Sequence, residues 1–201
     1  MRLLCLLVGF FMLPVEGAEE LFRQKIGNED IGLELIVVRQ RSDNTTANPQ
    51  LLFRYEVTNH GKDAWAVFTK GHTGESFKEG AYSEALGAQW VEYSLKAFQE
   101  PADRNCPLRY LPITPKAVLL PAGETLRGQV SAALPPRPHT PFDDCTPRPA
   151  FPKNVSKARF CLGVSRLSDT DMPFVEKGQT PATIVEHQEL LCSDLFDMVG
   201  S

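Results

Sequence analysis

Apolar and polar residues alternate along much of the chain, and this period of two constrains the fold more than any other feature. The clearest instance is LLFRYEVT, residues 51–58, in which Leu51, Phe53, Tyr55 and Val57 share one face. Successive side chains of a strand point to opposite faces of a sheet, so this segment predicts a strand with one buried face. Comparable patterns recur in further segments: residues 33–38, 91–97, 118–120, 125–134 and 158–164.

These segments predict an all-β fold, a sandwich or barrel of about seven to eight strands. The run 65–68 is apolar on both faces, which indicates a central strand. We predict the last strand at about 182–192, and the only helix candidates are two short segments, 83–86 and 193–199. The length of the chain fits a single domain over residues 18–201.

The N-terminus predicts a secretory signal peptide over residues 1–17. Arg2 precedes an apolar run, Leu3–Leu13, that Pro14 interrupts, and Gly17 supplies a small residue for cleavage. A membrane-spanning helix needs about 20 apolar residues, and no later segment meets that requirement. We therefore expect an exported protein that does not span a membrane.

The charge balance argues against nucleic acid as a partner. Without Arg2 and Glu16 of the signal segment, the 21 basic and 25 acidic residues each fall by one, so the net charge stays at -4. Nucleic-acid binding needs a basic patch, which this composition does not provide. The sequence also lacks the G-K-[ST] ending of a phosphate-binding loop and the G-x-S-x-G motif of hydrolases. We predict no cofactor and no catalytic residues.

Four cysteines remain after signal removal, and an even number in an exported chain predicts two disulfide bonds. Cys161 falls opposite Cys192 if the strands that carry them form an antiparallel hairpin centred on residues 176–177. This register favours a Cys161–Cys192 bond and leaves Cys106–Cys145 as the second, although four cysteines allow three pairings. The absence of a C-x-x-C pair argues against a zinc ribbon, and we predict no metal site.

Two turn motifs, YEVTNHGKDAW and LLPAGETLRGQV, resemble immunoglobulin-like β-sandwich modules of bacterial exported proteins. A similar arrangement occurs in the bacterial intracellular proteinase inhibitor family. The matching residues are Val57, Thr58, Asn59, Gly61, Pro121, Gly123, Glu124 and Thr125. The resemblance implies an immunoglobulin-like sandwich from a bacterium, and together with the signal peptide it predicts a periplasmic or secreted protein. Asparagine and glycine permit positive φ, so Asn59–Asp63 is interpreted as a hairpin turn. The Cys, Trp, Cys order of antibody domains is absent.

Two long connections separate the predicted strands. Residues 135–152 hold seven prolines and are expected to run over the surface, since proline cannot donate to a strand ladder. Residues 69–87 form a polar, glycine-containing loop whose mixture of charge and aromatic rings is typical of protein interfaces. The candidate binding residues on and beside it are Lys70, His72, Phe77, Lys78, Tyr82 and Trp90. Alternatively, Phe77, Tyr82 and Trp90 fold back onto the core.

The function predicted from these features is non-enzymatic binding of a protein or peptide, through loops or an exposed sheet edge. The first alternative is a secreted protease inhibitor with one loop in the cleft of the enzyme. The second is a small metal-binding or enzymatic domain built around His60 or around His72 with Glu75. No H-x-H or H-E-x-x-H spacing occurs, so the histidines are interpreted as exposed loop residues.

Overall fold

The structure is a computed structural model that describes residues 18–40, 49–70, 80–98, 105, 116–142, 145–146 and 150–198. The strands are β1 (Ala18–Gly27), β2 (Ile31–Gln40), β3 (Gln50–Asn59), β4 (Trp65–Lys70), β5 (Tyr82–Ala85), β6 (Trp90–Leu95), β7 (Lys116–Leu120), β8 (Thr125–Ala133), β9 (Lys157–Arg166), β10 (Glu189–Cys192) and β11 (Phe196–Asp197). Two short helices, α1 (Met172–Glu176) and α2 (Ala182–Glu186), lie between β9 and β10. No helix among these residues is long and apolar enough to cross a membrane.

The all-β prediction is confirmed, but the predicted number of strands is not. The described residues contain eleven strands rather than seven to eight. Three of them, β1, β5 and β11, were not predicted, because two are short and β1 directly follows the segment interpreted as a signal peptide. That predicted signal peptide, residues 1–17, lies outside the described residues.

The strands form two sheets. The first has the order β1-β2-β3-β8 and is antiparallel throughout. The second has the order β5-β6-β9-β4-β7, and β10 and β11 also pair with β9. Most neighbours in the second sheet are antiparallel, whereas β6 runs parallel to β9. A parallel neighbour must come from a distant part of the chain, and β6 is separated from β9 by more than 60 residues.

The two sheets face each other across one hydrophobic core. Phe53 of the first sheet stacks on Phe160 of the second at 4.8 Å between ring centroids and contacts Tyr93 at 5.1 Å. The predicted apolar faces are buried as expected from their alternation: residues 51, 53, 55 and 57 on β3, and 158, 160, 162 and 164 on β9. Each fully buried side chain of this size contributes about 1.5–3 kcal/mol, so this core is the main source of stability.

Strand β4 is buried on both faces, as its sequence predicted. Trp65 and Val67 point into the core between the sheets. Ala66 and Phe68 point the other way, into a second apolar cluster that includes Val175 of α1 and other residues after β9. The helical segment that follows β9 therefore covers part of the outer face of the second sheet, which is why β4 needs apolar residues on both sides.

The predicted strand at 182–192 is wrong in its first half. Residues 182–186 form α2, which begins after Pro181, and only Glu189–Cys192 form a strand. Thr183, Ile184 and Val185 are β-branched and favour strands, but burial of Ile184 in the second apolar cluster determines the local structure. Tertiary packing thus overrides the local propensity.

Strand β9 carries the disulfide bond that the sequence predicted. β10 pairs with β9 in the register that places Cys192 opposite Cys161, and the two sulfurs are bonded. Cys145 is fully buried and is not a free thiol. Its predicted partner, Cys106, lies outside the described residues, so the second bond stays a prediction.

The two long predicted connections are partly structured. β4 continues to Lys70, and β5 takes up the segment 82–85, so the helix candidate at 83–86 is wrong. The proline-rich stretch contacts this strand, since Ser83 and His139 exchange two backbone hydrogen bonds. Within the same stretch Phe142 is buried rather than on the surface. The proline-rich stretch therefore covers an edge of the second sheet, as sheet edges generally require.

We predict that the double substitution Cys161→Ala/Cys192→Ala lowers the free energy of unfolding by about 3–4 kcal/mol. The bond joins residues 31 positions apart, and the loss is the entropy that a loop of this length regains in the unfolded chain. Guanidinium unfolding under non-reducing conditions measures it. A loss below about 1 kcal/mol would contradict the prediction, because the unfolded chain would then gain little freedom.

We predict that Tyr93→Phe raises the free energy of unfolding by about 1 kcal/mol at neutral pH, since the buried Tyr93 hydroxyl has no hydrogen-bond partner in the part of the chain that the structure describes. Burial also raises the pKa of Tyr93 above its usual value. The wild type therefore loses stability as the pH rises above about 10, where the unfolded chain releases this proton. Urea unfolding above about pH 10 should therefore show a larger difference in the free energy of unfolding between Tyr93→Phe and the wild type. Lower stability of the variant at both pH values would refute this account.

Candidate functional site

The prediction of a hairpin at Asn59–Asp63 is wrong, because β3 and β4 belong to different sheets and do not pair. The connection between them is held together by a buried asparagine. The Asn59 side chain is fully buried and donates to the backbone oxygens of Asp63, at 2.8 Å, and Leu120, at 3.2 Å. Its carbonyl oxygen accepts the Gly61 N–H at 3.0 Å. Its backbone also hydrogen bonds Gly123 and Glu124 in the turn before β8. One side chain thus joins two turns, and this explains the motif without a ligand.

The same end of the molecule carries a salt bridge that links two turns to the end of β9. Arg166, at the end of β9, pairs with Asp63 at 2.6 Å and with Asp30 of the β1–β2 turn. The Arg166 guanidinium also lies over the Trp65 ring, 5.2 Å from its centroid. His60 is exposed and belongs to no cluster of three possible metal ligands among the described residues. These contacts stabilise the turns and do not form a catalytic arrangement.

The structure describes only part of the predicted binding set. His72, Phe77 and Lys78 lie outside the described residues, as does the side chain of Lys70. Tyr82 is buried, and its ring contacts those of Phe98 and His139. Trp90 is 45% exposed. The structure thus places Tyr82 in a packed position and leaves Trp90 at the surface, so the two lie in different surroundings.

Trp90 lies beside a second exposed apolar residue. The Leu86 N–H donates to the Trp90 carbonyl at 3.0 Å, just beyond the last cross-strand pair of the β5–β6 hairpin, Ala85 with Val91. Leu86 and Trp90 are therefore cross-strand neighbours on one face, and Leu86 is 38% exposed. Val91 points into the core, which fixes the hairpin and turns Trp90 outward.

Charged side chains border these two residues on the same outer face. Lys157 of β9 is the register partner of Trp90, and Arg159 is that of Glu92. The side chain of Lys157 is 45% exposed and that of Arg159 is 35% exposed. We call Leu86, Trp90 and Lys157 the Trp90 patch. An aromatic residue with an aliphatic neighbour and cations at its margin matches the composition of protein interfaces.

A buried ion cluster lies next to the patch. The Glu92 side chain is 4% exposed, and its carboxylate binds Arg159 at 2.6 Å and Lys96 at 2.7 Å. Lys96 also binds Glu84 at 2.6 Å. Desolvation acts to lower the pKa of Lys96, but the hydrogen bonds and charges of Glu84 and Glu92 raise it overall. The cluster crosslinks β5, β6 and β9 and gives the patch a rigid base.

Glu92 also lies beside the disulfide. Its carboxylate and the sulfurs of Cys161 and Cys192 are within 4.8 Å of one another, which makes them the one group of three possible metal ligands in the described part of the chain. Metals bind thiolates, and a disulfide offers none. In the oxidised chain this group therefore does not hold a metal.

Leu86 and Glu92 were not among the residues predicted from the sequence. Glu92 occupies a polar position in the alternating pattern of residues 91–97, which predicts an exposed side chain. Nothing in the neighbouring sequence indicates that it is buried. Leu86 and Trp90 flank a short Gly-Ala-Gln segment, and that hairpin signal could have paired them.

No protein family, curated protein or solved structure matches this chain.

We predict that Asn59→Ala lowers the free energy of unfolding by about 2–4 kcal/mol, because it removes the amide donor of the Asp63 and Leu120 carbonyls and leaves the Gly61 N–H with only its bond to Asp30. The neighbouring Thr58→Ala serves as the matched control. The Thr58 hydroxyl makes a single exposed contact with that of Thr125, so the control should lose less than about 1 kcal/mol. Urea unfolding compares them, and equal losses would contradict the central role of Asn59.

Proposed function

We propose that this protein is an exported, non-enzymatic binding module that recognises a protein or peptide partner through the Trp90 patch. The observation that carries the proposal is the exposure of Trp90 beside exposed Leu86, on a hairpin whose opposite face is part of the core. Large apolar side chains held at the surface of a rigid scaffold are characteristic of binding sites.

The geometry suits an anchor residue of an interface. Tryptophan is enriched among the few residues that carry most of the binding energy, and such residues are surrounded by contacts that exclude water. Leu86 and the aliphatic stem of Lys157 are placed to provide these contacts. The ion pairs of Glu92 with Arg159 and Lys96 hold the strands in place before binding, which reduces the entropy lost on association.

The finer assignment of the fold is part of the same proposal. Two sheets around one core support an immunoglobulin-like sandwich, and the N-terminal segment supports export to the bacterial periplasm. Asn105 and Thr146 exchange two backbone hydrogen bonds as an antiparallel bridge. In the sequence Cys106 directly follows Asn105 and Cys145 directly precedes Thr146, and this supports the proposal of a Cys106–Cys145 bond.

The two alternatives have no support from the described residues. A protease inhibitor would place an exposed loop in the cleft of the enzyme, and residues 71–79 of the long loop after β4 lie outside the described residues. A metal site at His72 and Glu75 lies in the same segment. The Trp90 patch is therefore the surface on which a binding function can be tested.

The first test is site-specific photocrosslinking in the native cell envelope. A photoreactive phenylalanine analogue replaces Trp90 in one variant and Phe174 in the other. Phe174 is 50% exposed on α1, which contacts β7 at the opposite edge of the second sheet, so it controls for exposed apolar surface in general. We expect a discrete crosslinked partner from position 90 and none from position 174.

We predict that Trp90→Ala weakens binding of that partner at least 30-fold, which corresponds to about 2 kcal/mol, the typical loss at an interface anchor. Phe174→Ala should leave the affinity unchanged, and both variants should unfold at the same denaturant concentration as the wild type. Isothermal titration measures the affinities. Equal effects of the two substitutions, or no crosslink at position 90, would reject the patch as the binding site.

A further inference from the structure

The outer face of the second sheet brings two sulfurs and a carboxylate together below the surface. Ser94 of β6, Cys161 of β9 and Cys192 of β10 form one row across three neighbouring strands. Glu92 lies two residues before Ser94 on β6, so strand alternation directs it to the same face. The Glu92 carboxylate and both sulfurs lie within 4.8 Å of one another.

A buried hydroxyl lies in the same row of the sheet. Ser94 is fully buried, and its Oγ has no hydrogen-bond partner among the described residues. A buried hydroxyl left in this state costs about 1–3 kcal/mol. Its register partner is Cys161, so the Ser94 side chain lies on the same face of the sheet as the two sulfurs. The outer face of the sheet thus holds a further polar group next to the sulfurs in this row.

The position of β10 does not depend on the disulfide alone. Before the strand, the Gln188 side chain hydrogen bonds both backbone groups of Ala97, at 2.8 Å and 3.1 Å. After the strand, Ser193 bonds both backbone groups of Phe160, at 2.8 Å and 3.0 Å. Leu191 is buried in the core between these anchors. The two sulfurs are therefore held as neighbours whether or not a bond joins them.

We propose that reduction of the Cys161–Cys192 bond converts this group into a zinc site formed by the two thiolates and the Glu92 carboxylate. A dithiol reductant supplies two electrons and two protons, the S–S bond breaks, two thiols form, and the reductant leaves as its own disulfide. Zn²⁺ then binds both sulfurs, and their two protons pass to solvent. Cys192 is partly exposed, which gives the reductant and the metal a route to the site.

The donor set fits zinc. Zn²⁺ takes thiolate sulfur at about 2.3 Å and carboxylate oxygen at about 2.0–2.2 Å. The Glu92 carboxylate lies within 4.8 Å of both sulfurs. The sulfurs are bonded to each other in the oxidised chain, so they must move apart on reduction before both can bind one ion. Two thiolates disfavour magnesium and calcium, which require oxygen ligands. Zinc is four-coordinate, so a fourth ligand such as water is needed to complete the site.

The experiment titrates the mature chain with Co²⁺, a spectroscopic substitute for zinc, without oxygen, in oxidised and reduced forms. The reduced chain should bind one equivalent with sulfur-to-cobalt charge-transfer absorption that excess Zn²⁺ abolishes, and the oxidised chain should show none. Near-UV circular dichroism of the reduced chain should remain native. Loss of that signal on reduction would overturn the proposal, because the site requires β10 to stay in place.

Matched variants separate this site from other groups. Glu92→Gln should weaken Co²⁺ binding at least tenfold. Removal of a group that only hydrogen bonds a metal ligand already causes a loss of this size. Glu84→Gln removes a carboxylate that belongs to the same ion cluster but is not grouped with the sulfurs. This variant should therefore bind Co²⁺ like the wild type. If Glu92→Gln does not fold, Glu92→Asp replaces it with the same expectation. Equal affinity of the Glu92 and Glu84 variants would reject the carboxylate as a ligand.

The other cysteines need their own control. The double variant Cys161→Ala/Cys192→Ala retains Cys106 and Cys145, so any cobalt–thiolate absorption that comes from this second pair would persist in it. We expect the double variant to show no cobalt–thiolate absorption. Absorption of wild-type intensity in the double variant would assign binding to the other pair and overturn the proposal.

Discussion

Strand β9 pairs with four other strands, β4, β6, β10 and β11, and its residues from Ala158 to Ser165 are almost all buried. Its inner face supplies Phe160 to the core between the sheets, and its outer face carries Cys161 and Arg159. A strand in this position requires partners on both edges and cover on both faces. The positions of the helices, the C-terminal strands and the ion cluster all follow from that requirement.

Local periodicity could predict the parts of this arrangement that depend on one strand at a time. The apolar faces of β3 and β9 follow from alternation, because a slip of one residue would expose every buried side chain. The Cys161–Cys192 bond was predicted from an assumed hairpin between the two strands, and the structure confirms that register. In both cases the residues that decide the structure are close in sequence or repeat with a fixed period.

Contacts between distant segments could not be predicted in this way. The parallel pairing of β6 with β9 places Glu92 against Arg159, and no local pattern distinguishes this buried glutamate from an exposed one. Residues 182–186 have the composition of a strand, yet burial of Ile184 makes them a helix. Trp90 presents the opposite case: an apolar residue in a strand is expected inside, and its exposure depends on where the hairpin ends. The candidate site lies where these non-local contacts meet.

Stability alone does not account for the carboxylate of Glu92. Burying an ion pair costs desolvation energy that the attraction of the charges only partly offsets, and apolar residues of similar volume are often as stable or more so. Here the sheet retains Glu92 with two cationic partners, next to an unpaired serine hydroxyl and two sulfurs. An apolar side chain at this position would satisfy the packing but would remove the one hard ligand beside the sulfur pair. The proposed zinc site would give this buried polar row a chemical role in addition to its role in joining β5, β6 and β9.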